Sequence, residues 1–207
     1  MKTTKPEYKK TSNIDRLTAW VLTITGAGGV FASLMLSIEE FHHLKHPAQK
    51  LACDLNPLIG CGNILDTWQG HAFLGIPNQF PGLAAFAVLM TLGVLLIARV
   101  ELPRWIWKGL QAGMIGGILF VLWFMYESLF VLNHLCPYCM LTWTVTLAAA
   151  WYTTVYNLHT GTIALPKSLK RAGDFAIRHH ADILVGTYVV IIAGVLWRFW
   201  DFFGKNL

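Results

Sequence analysis

Charge is what this sequence has least of. Only 13% of its 207 residues are charged, against 55% hydrophobic, where a water-soluble domain carries about 25% charged residues. A deficit of that size excludes an ordinary soluble domain. Much of the surface must face something other than water, and apolar runs near the roughly 20 residues that span a bilayer agree. Cysteine is also scarce. Cys53, Cys61, Cys136 and Cys139 are too few for a disulfide scaffold of this length, yet they fall into two close pairs. No internal repeat and no low-complexity tract is present. The N-terminus reads as polar and uncleaved, because no small-residue cleavage site follows the first apolar run.

Five apolar stretches remain. They lie at about 17–38, 81–98, 109–132, 137–156 and 183–200. The expected fold is an all-α integral membrane protein: a four-helix transmembrane bundle plus a fifth peripheral transmembrane helix, with an outer capping loop. Gly26, Gly28 and Gly29 suit close helix packing in the first span. The organisation is a cytoplasmic N-terminal segment at 1–16, a core at 17–158 containing a cysteine loop at 39–80, a cytoplasmic loop at 159–182, and a last helix and tail at 183–207. A loop of about 40 residues is long for a connection, and such loops are usually functional or disordered. Its Cys, Trp and Phe content argues for order.

The net charge of +5 admits nucleic-acid binding or membrane topology. Spacing decides for topology, so no nucleic-acid partner is expected. With the N-terminus cytoplasmic, inner segments hold Lys2, Lys5, Lys9, Lys10, Arg16, Arg99, Arg104, Lys108, Lys167, Lys170, Arg171 and Arg178. Outer segments hold only Lys45, Lys50, Arg198 and Lys205. The positive-inside rule then places all four cysteines outside the cytoplasm, where disulfide chemistry is permitted. The expected location is the inner (plasma) membrane, in contact with lipid.

Cys136-Pro137-Tyr138-Cys139 opens the fourth span. Residues three apart on a helix share a face, and Pro137 suits the first helical position. Cys136 then caps the helix. Unpaired N–H groups and the positive dipole end stabilise a thiolate there, which makes both a nucleophile and a leaving group. Cys53 and Cys61 supply a second pair in the outer loop, positioned to carry electrons between the bundle and a soluble protein. Two other readings of Cys136 and Cys139 stand beside the redox one: inert buried thiols, or half of a zinc site completed by Cys53, Cys61, His42, His43, His46 or His134. Asp54 reads first as a loop-ordering acid and second as a modulator of Cys53. Glu127 near the outer end of the third span and His134 are candidates for proton transfer, with interfacial solvation the plainer role. Trp105, Trp107, Trp197 and Trp200 read as interface anchors.

The sequence resembles bacterial vitamin K epoxide reductase (VKOR) homologues. The likeness rests on Cys53-Asp54 with Cys61 downstream, Phe73-Leu74-Gly75-Ile76-Pro77-Asn78, Pro81-Gly82-Leu83-Ala84-Ala85-Phe86, and Cys136-Pro137-Tyr138-Cys139. It covers about 17–158. The loop pair precedes the CxxC pair, whereas DsbB-like quinone reductases carry their CxxC in the first outer loop. Many such homologues end in a fused thioredoxin-like domain, and this chain looks like the unfused, actinobacterial type. The resemblance implies a thiol:quinone oxidoreductase that generates disulfides, with a separate DsbA-like thioredoxin-fold partner. Its quinone would be menaquinone, ubiquinone or a vitamin K-type quinone, and no metal is implied. Cys139 would lie beside the quinone, Cys136 would exchange disulfides with Cys61, and Cys53 would meet the partner. Asn78 matches a residue that hydrogen-bonds a quinone carbonyl. Trp143 matches an aromatic pocket position that is Tyr in vertebrate enzymes, and the change removes a hydroxyl donor. Thr67 stands where Ser or Thr is common. Two rival functions remain: reduction of vitamin K epoxide by the same cysteines, and a non-enzymatic, zinc-binding membrane assembly factor.

Overall fold

The computed structural model describes residues 12–46, 49–56 and 58–200. Lys2, Lys5, Lys9, Lys10 and Lys205 of the charge count lie outside these residues, as do Pro47 and Pro57. Helices dominate, in the order α1 (Asn13–Lys45), α2 (Gly62–Leu65), α3 (Gln79–Ile97), α4 (Arg104–Tyr126), α5 (Pro137–His159), α6 (Lys170–Arg178) and α7 (His180–Arg198). Among the described residues there is no β-sheet, only two isolated bridges.

A capping box starts α1. Ser12 Oγ accepts from the Ile14 and Asp15 N–H groups, and Asp15 returns a bond to the Ser12 N–H at 2.9 Å. This reciprocal arrangement satisfies N–H groups that a helix start otherwise leaves open. At 33 residues and 1.5 Å per residue, α1 runs about 50 Å, well beyond a hydrocarbon core of about 30 Å. The helix therefore continues past Ile38 and takes in Glu39 to Lys45, which the sequence reading gave to the outer loop. Nothing in that stretch breaks a helix, and the first breaker in the sequence is Pro47.

The bundle is built around α1 and α5. Helix α3 lies along α1, α5 packs on α1, and α4 packs on α5. The α1–α3 approach is closest at Gly26 and Gly93. A Cβ on Gly26 would come within 2.5 Å of the Met90 backbone, and one on Gly93 within 2.5 Å of the Thr23 N. Small residues permit this approach, and close van der Waals packing is what holds helices together in lipid. Helices α3 and α4 make no substantial contact with each other, so the bundle opens on that side.

By length and composition, α1, α3, α4 with its extension, and α7 are apolar enough to cross a membrane. Helix α5 has the length but is richer in hydroxyls. Thr142, Thr144 and Thr154 return their O–H groups to carbonyls one turn back, at 3.0, 2.9 and 2.8 Å, and neighbours bury much of the helix. Helix α7 has no buried residue of its own and is peripheral, as expected. Pro103 precedes α4 and starts it at Arg104, so Lys108 belongs to the helix rather than to the preceding link. The polar segment between α5 and α7, which reads as loop in the sequence, contains α6, a short amphipathic helix. The chain is thus a multi-pass all-α membrane protein.

Candidate active site

All four cysteines gather at one end of the bundle. Helix α4 leads there through a π-helical turn, Glu127–Leu132, that Asn133 ends with φ at 55°. Asn tolerates that left-handed conformation better than most residues. Arg198, at the end of α7, donates to the Asn133 side-chain oxygen, and Phe199 is buried in the same apolar cluster as the cysteines. The peripheral helix is therefore anchored at the turn that precedes Cys136, a tie that nothing local in the sequence signals.

The cysteine loop is clamped to this turn by backbone pairing. Gly60 N–H donates to the Leu135 carbonyl and Leu135 N–H to the Leu58 carbonyl, both at 2.9 Å. The residue after Gly60 is Cys61 and the residue after Leu135 is Cys136. Their sulfurs lie 3.2 Å apart, and both residues are fully buried. Cys61 is disulfide-bonded to Cys53, with Cα atoms 5.8 Å apart. Cys136 and Cys139 are free thiols. In the structure the loop pair is oxidised and the helix pair reduced.

Asp54 fixes the loop cysteines in place. Its Oδ1 accepts the Cys61 N–H at 2.8 Å and the Gly62 N–H at 3.2 Å, and its Oδ2 accepts the Leu51 N–H at 3.2 Å. A Cβ on Gly60 would come within 2.6 Å of Asp54 Oδ1, so glycine there admits the carboxylate. This geometry matches the loop-ordering reading of Asp54. Cys136 occupies the cap of α5 with Pro137 at the first helical position, as the spacing implied. A hydrogen bond from the Cys139 side chain holds the Cys136 thiol below its ordinary range. Burial opposes this, the Cys139 and Tyr138 N–H groups reinforce it, and the charge of Asp54 acts weakly against it.

Below the sulfurs lies a cavity of about 490 Å³, lined by α1, α3, α4 and α5 and roofed by the loop. Ala32, Leu36, Phe86, Phe120, Val121 and Phe124 give it an apolar wall, and Cys139 and Trp143 reach it from α5. It lies where α3 and α4 diverge, with Gly113, Gly116 and Gly117 on the α4 side. The volume, the apolar wall and a few polar groups in the lining are what a small-molecule pocket shows. Such a pocket fits a flat apolar ring bearing polar oxygens, as a quinone has.

The sequence candidates divide here. Cys139, Trp143 and Asn78 line the cavity. Asn78 also braces the roof: its Nδ2 donates to the Gln69 carbonyl at 2.6 Å and its Oδ1 accepts the Ala72 N–H at 3.0 Å. Cys53 and Cys61 sit in the roof. Thr67 is not among the lining residues and donates its hydroxyl to the Ile64 carbonyl at 2.7 Å. Glu127 accepts from Gln69 Nε2 at 3.1 Å, and His134 meets Asn63. A group missed in the sequence is Glu40, buried near the C-terminal end of α1 beside His71 and Gln79. Hydropathy alone puts this acid in the loop, and the lack of a helix breaker between Ile38 and Pro47 is the signal that keeps it on the helix. Among the described residues, no three His, Cys, Asp or Glu side chains converge as a metal site requires.

No curated protein matches the chain. The model of the vitamin K epoxide reductase family matches residues 20–154, more than half the sequence, and that interval holds both cysteine pairs and the whole cavity lining. The family's members are membrane oxidoreductases that generally couple cysteine thiols to quinones. On the four-helix bundle, the two cysteine pairs and this match, the chain belongs to the vitamin K epoxide reductase family.

Proposed function

We propose that this protein oxidises the thiols of an extracytoplasmic thioredoxin-fold, DsbA-like partner and passes the electrons to a membrane quinone, so generating disulfides. One observation carries the reading: the 3.2 Å contact between the Cys61 and Cys136 sulfurs, which joins the loop pair to a helix pair whose other member faces an apolar cavity. Thiol–disulfide exchange needs such a contact, because a thiolate attacks a sulfur directly.

The cycle balances in three exchanges. A partner thiolate attacks the Cys53–Cys61 disulfide at Cys53, and the partner leaves oxidised with the loop pair as thiols. Cys61 thiolate then attacks Cys136, breaking the Cys136–Cys139 disulfide and re-forming Cys53–Cys61. Cys136 and Cys139 finally close to a disulfide, and their two electrons and two protons leave for the quinone, which becomes quinol. The lowered thiol of Cys136 suits it as the leaving sulfur. Cys53 is buried, so partner attack at that sulfur requires the loop around it to shift. Asn78 and Trp143 contact the ring in this reading, while Thr67 supports the roof.

The basic residues Arg16, Arg99, Arg104, Lys108, Lys167, Lys170, Arg171 and Arg178 border the helix ends away from the cysteines. That distribution supports an inner-membrane orientation with the cysteines outside the cytoplasm. Anaerobic mixing of the purified protein with a reduced thioredoxin-fold partner and a short-chain naphthoquinone tests the reading. Stoichiometric quinol and oxidised partner are expected. Oxidation of the partner without quinol, or consumption of the corresponding epoxide but not the quinone, overturns it.

A further inference from the structure

We propose that Gln79 is a ligand-reading residue of the cavity: its side-chain carbonyl accepts a hydrogen bond from the hydroxyl of the reduced ligand, and Glu40 with His71 sets it in that orientation. The proposal rests on the quinone reading above and adds to it a residue that tells the quinol from the quinone.

The hydrogen bonds around His71 fix where its protons lie. His71 Nδ1 lies 3.2 Å from the Thr67 carbonyl, and its Nε2 lies 3.2 Å from Glu40 Oε1. A carbonyl only accepts, so Nδ1 carries a proton. One further proton must then sit between Nε2 and Oε1. It belongs either to an imidazolium facing a carboxylate or to a carboxylic acid facing a neutral imidazole. In both cases Oε1 is engaged by that proton, as its acceptor or its carrier, and Oε2 remains an acceptor.

Gln79 meets that second oxygen through its Nε2. The amide nitrogen therefore faces Glu40 wherever the shared proton sits, and the amide cannot turn over without setting two acceptors against each other. Gln79 stands at the first position of α3 and lines the cavity beside Asn78. With Nε2 turned to Glu40, Oε1 is the atom left for the cavity. Leu36, one turn before Glu40 on α1, and Gly70, next to His71, line the cavity as well. The acid, the imidazole and the amide thus form one unit at the rim of the cavity, with its acceptor turned inward.

An inward acceptor discriminates by chemistry. A quinone oxygen has lone pairs and no hydrogen, so it gains nothing from Oε1. A quinol hydroxyl donates to it. Preferential binding of the reduced ligand favours electron transfer out of Cys136 and Cys139, since whatever holds product more tightly than substrate draws the bound equilibrium toward product. Asn78 commits its Oδ1 and one Nδ2 hydrogen to the roof, and the hydroxyls of Ser33, Thr142 and Thr146 in the lining can rotate, so Gln79 is the side chain whose free acceptor is fixed by its surroundings. Glu40 and His71 act through Gln79 and are positioning residues.

The test uses a Cys139→Ala background, which binds ligand without turnover, and two probes: menadione and its quinol kept under reducing, anaerobic conditions. Dissociation constants of both are measured by fluorescence of the protein's tryptophans. Gln79→Leu is expected to weaken quinol binding about tenfold, the value of one hydrogen bond of roughly 1.4 kcal/mol, and to leave menadione within about twofold. Glu40→Gln keeps the size of the side chain but frees the amide to turn. It is expected to weaken quinol binding about threefold, again without moving menadione. Equal losses for both probes in Gln79→Leu, or an unchanged ratio in both variants, overturn the assignment while leaving the quinone reading intact. A parent protein that binds neither probe overturns the quinone reading and this proposal together.

Discussion

Asp54 Oδ1 accepts the backbone N–H of Cys61 at 2.8 Å, so the residue that follows one loop cysteine holds the other. The same carboxylate binds Gly62 and Leu51, and bonds to a charged acceptor are worth roughly 1.5–3 kcal/mol each. Removing it should release Cys61 from its place over Cys136. Asp54→Ala is expected to slow partner-driven quinone reduction at least about tenfold, a loss of about 1.4 kcal/mol in the aligned state. Turnover driven by a small dithiol that reaches the helix pair directly should stay within about twofold. An equal loss with both reductants would mean that Asp54 acts on the helix pair or on folding, and not on the loop.

The glycine contact between α1 and α3 sets a second expectation, on stability. A methyl group at residue 93 meets the Thr23 backbone and side chain at 2.5 Å, where neither helix can retreat without losing its other contacts. Gly93→Ala is expected to cost about 1–3 kcal/mol, the usual price of overpacking, and to lower the unfolding midpoint in detergent. Gly109, with nothing within 4 Å of an added Cβ, serves as the control. A Gly109→Ala midpoint that falls as far as that of Gly93→Ala would remove the steric explanation.

Much of this arrangement was legible in the sequence because it depends on local chemistry. Cys136-Pro137 reads as a helix start from the proline alone, and the structure puts α5 there. Gly26 and Gly29 read as packing glycines and touch α3. The bounds of α1 were not legible, since hydropathy marks where a helix leaves the hydrocarbon and not where it ends. Glu39 and Glu40 look like loop residues on hydropathy, yet they continue the helix. The pairing of Gly60 with Leu135 and the link from Arg198 to Asn133 join residues 75 and 65 positions apart, which no local pattern encodes. Glu40, His71 and Gln79 meet from three separate segments for the same reason.

The exchange contact predicts a trapped species. Cys53→Ala leaves Cys61 without its partner, and Cys139→Ala leaves Cys136 without its own. The two remaining sulfurs already lie 3.2 Å apart, and the backbone pairing that holds them does not involve either substituted side chain. Non-reducing mass spectrometry of the double variant should show a Cys61–Cys136 peptide as the main oxidised product. The loop so closed is long, but closure entropy rises slowly with length and the folded chain has already met it. A dominant intermolecular dimer, or free thiols persisting under oxidant, would show that the relay does not pass through this pair.

The acidity of Cys136 is open to direct measurement. Its thiol is held low chiefly by the Cys139 side chain, with help from N–H groups of the first turn of α5. A group whose thiolate is stabilised by donors in this way reacts at lower pH, and loss of the donor moves its titration up. In a Cys53→Ala, Cys61→Ala background, Cys136 can be followed by its rate of alkylation across pH. Replacing Cys139 by Ala removes the donor. Replacing it by Ser restores an O–H that donates at similar reach. The midpoint of the alkylation curve should therefore shift upward in the Ala variant and return toward the parent in the Ser variant. Fall-off at neutral pH should follow in the same order, because the thiolate fraction sets the rate there. Burial slows all three curves alike and cancels in the midpoint. Identical midpoints for Cys, Ala and Ser at residue 139 would assign the acidity of Cys136 to the helix end alone.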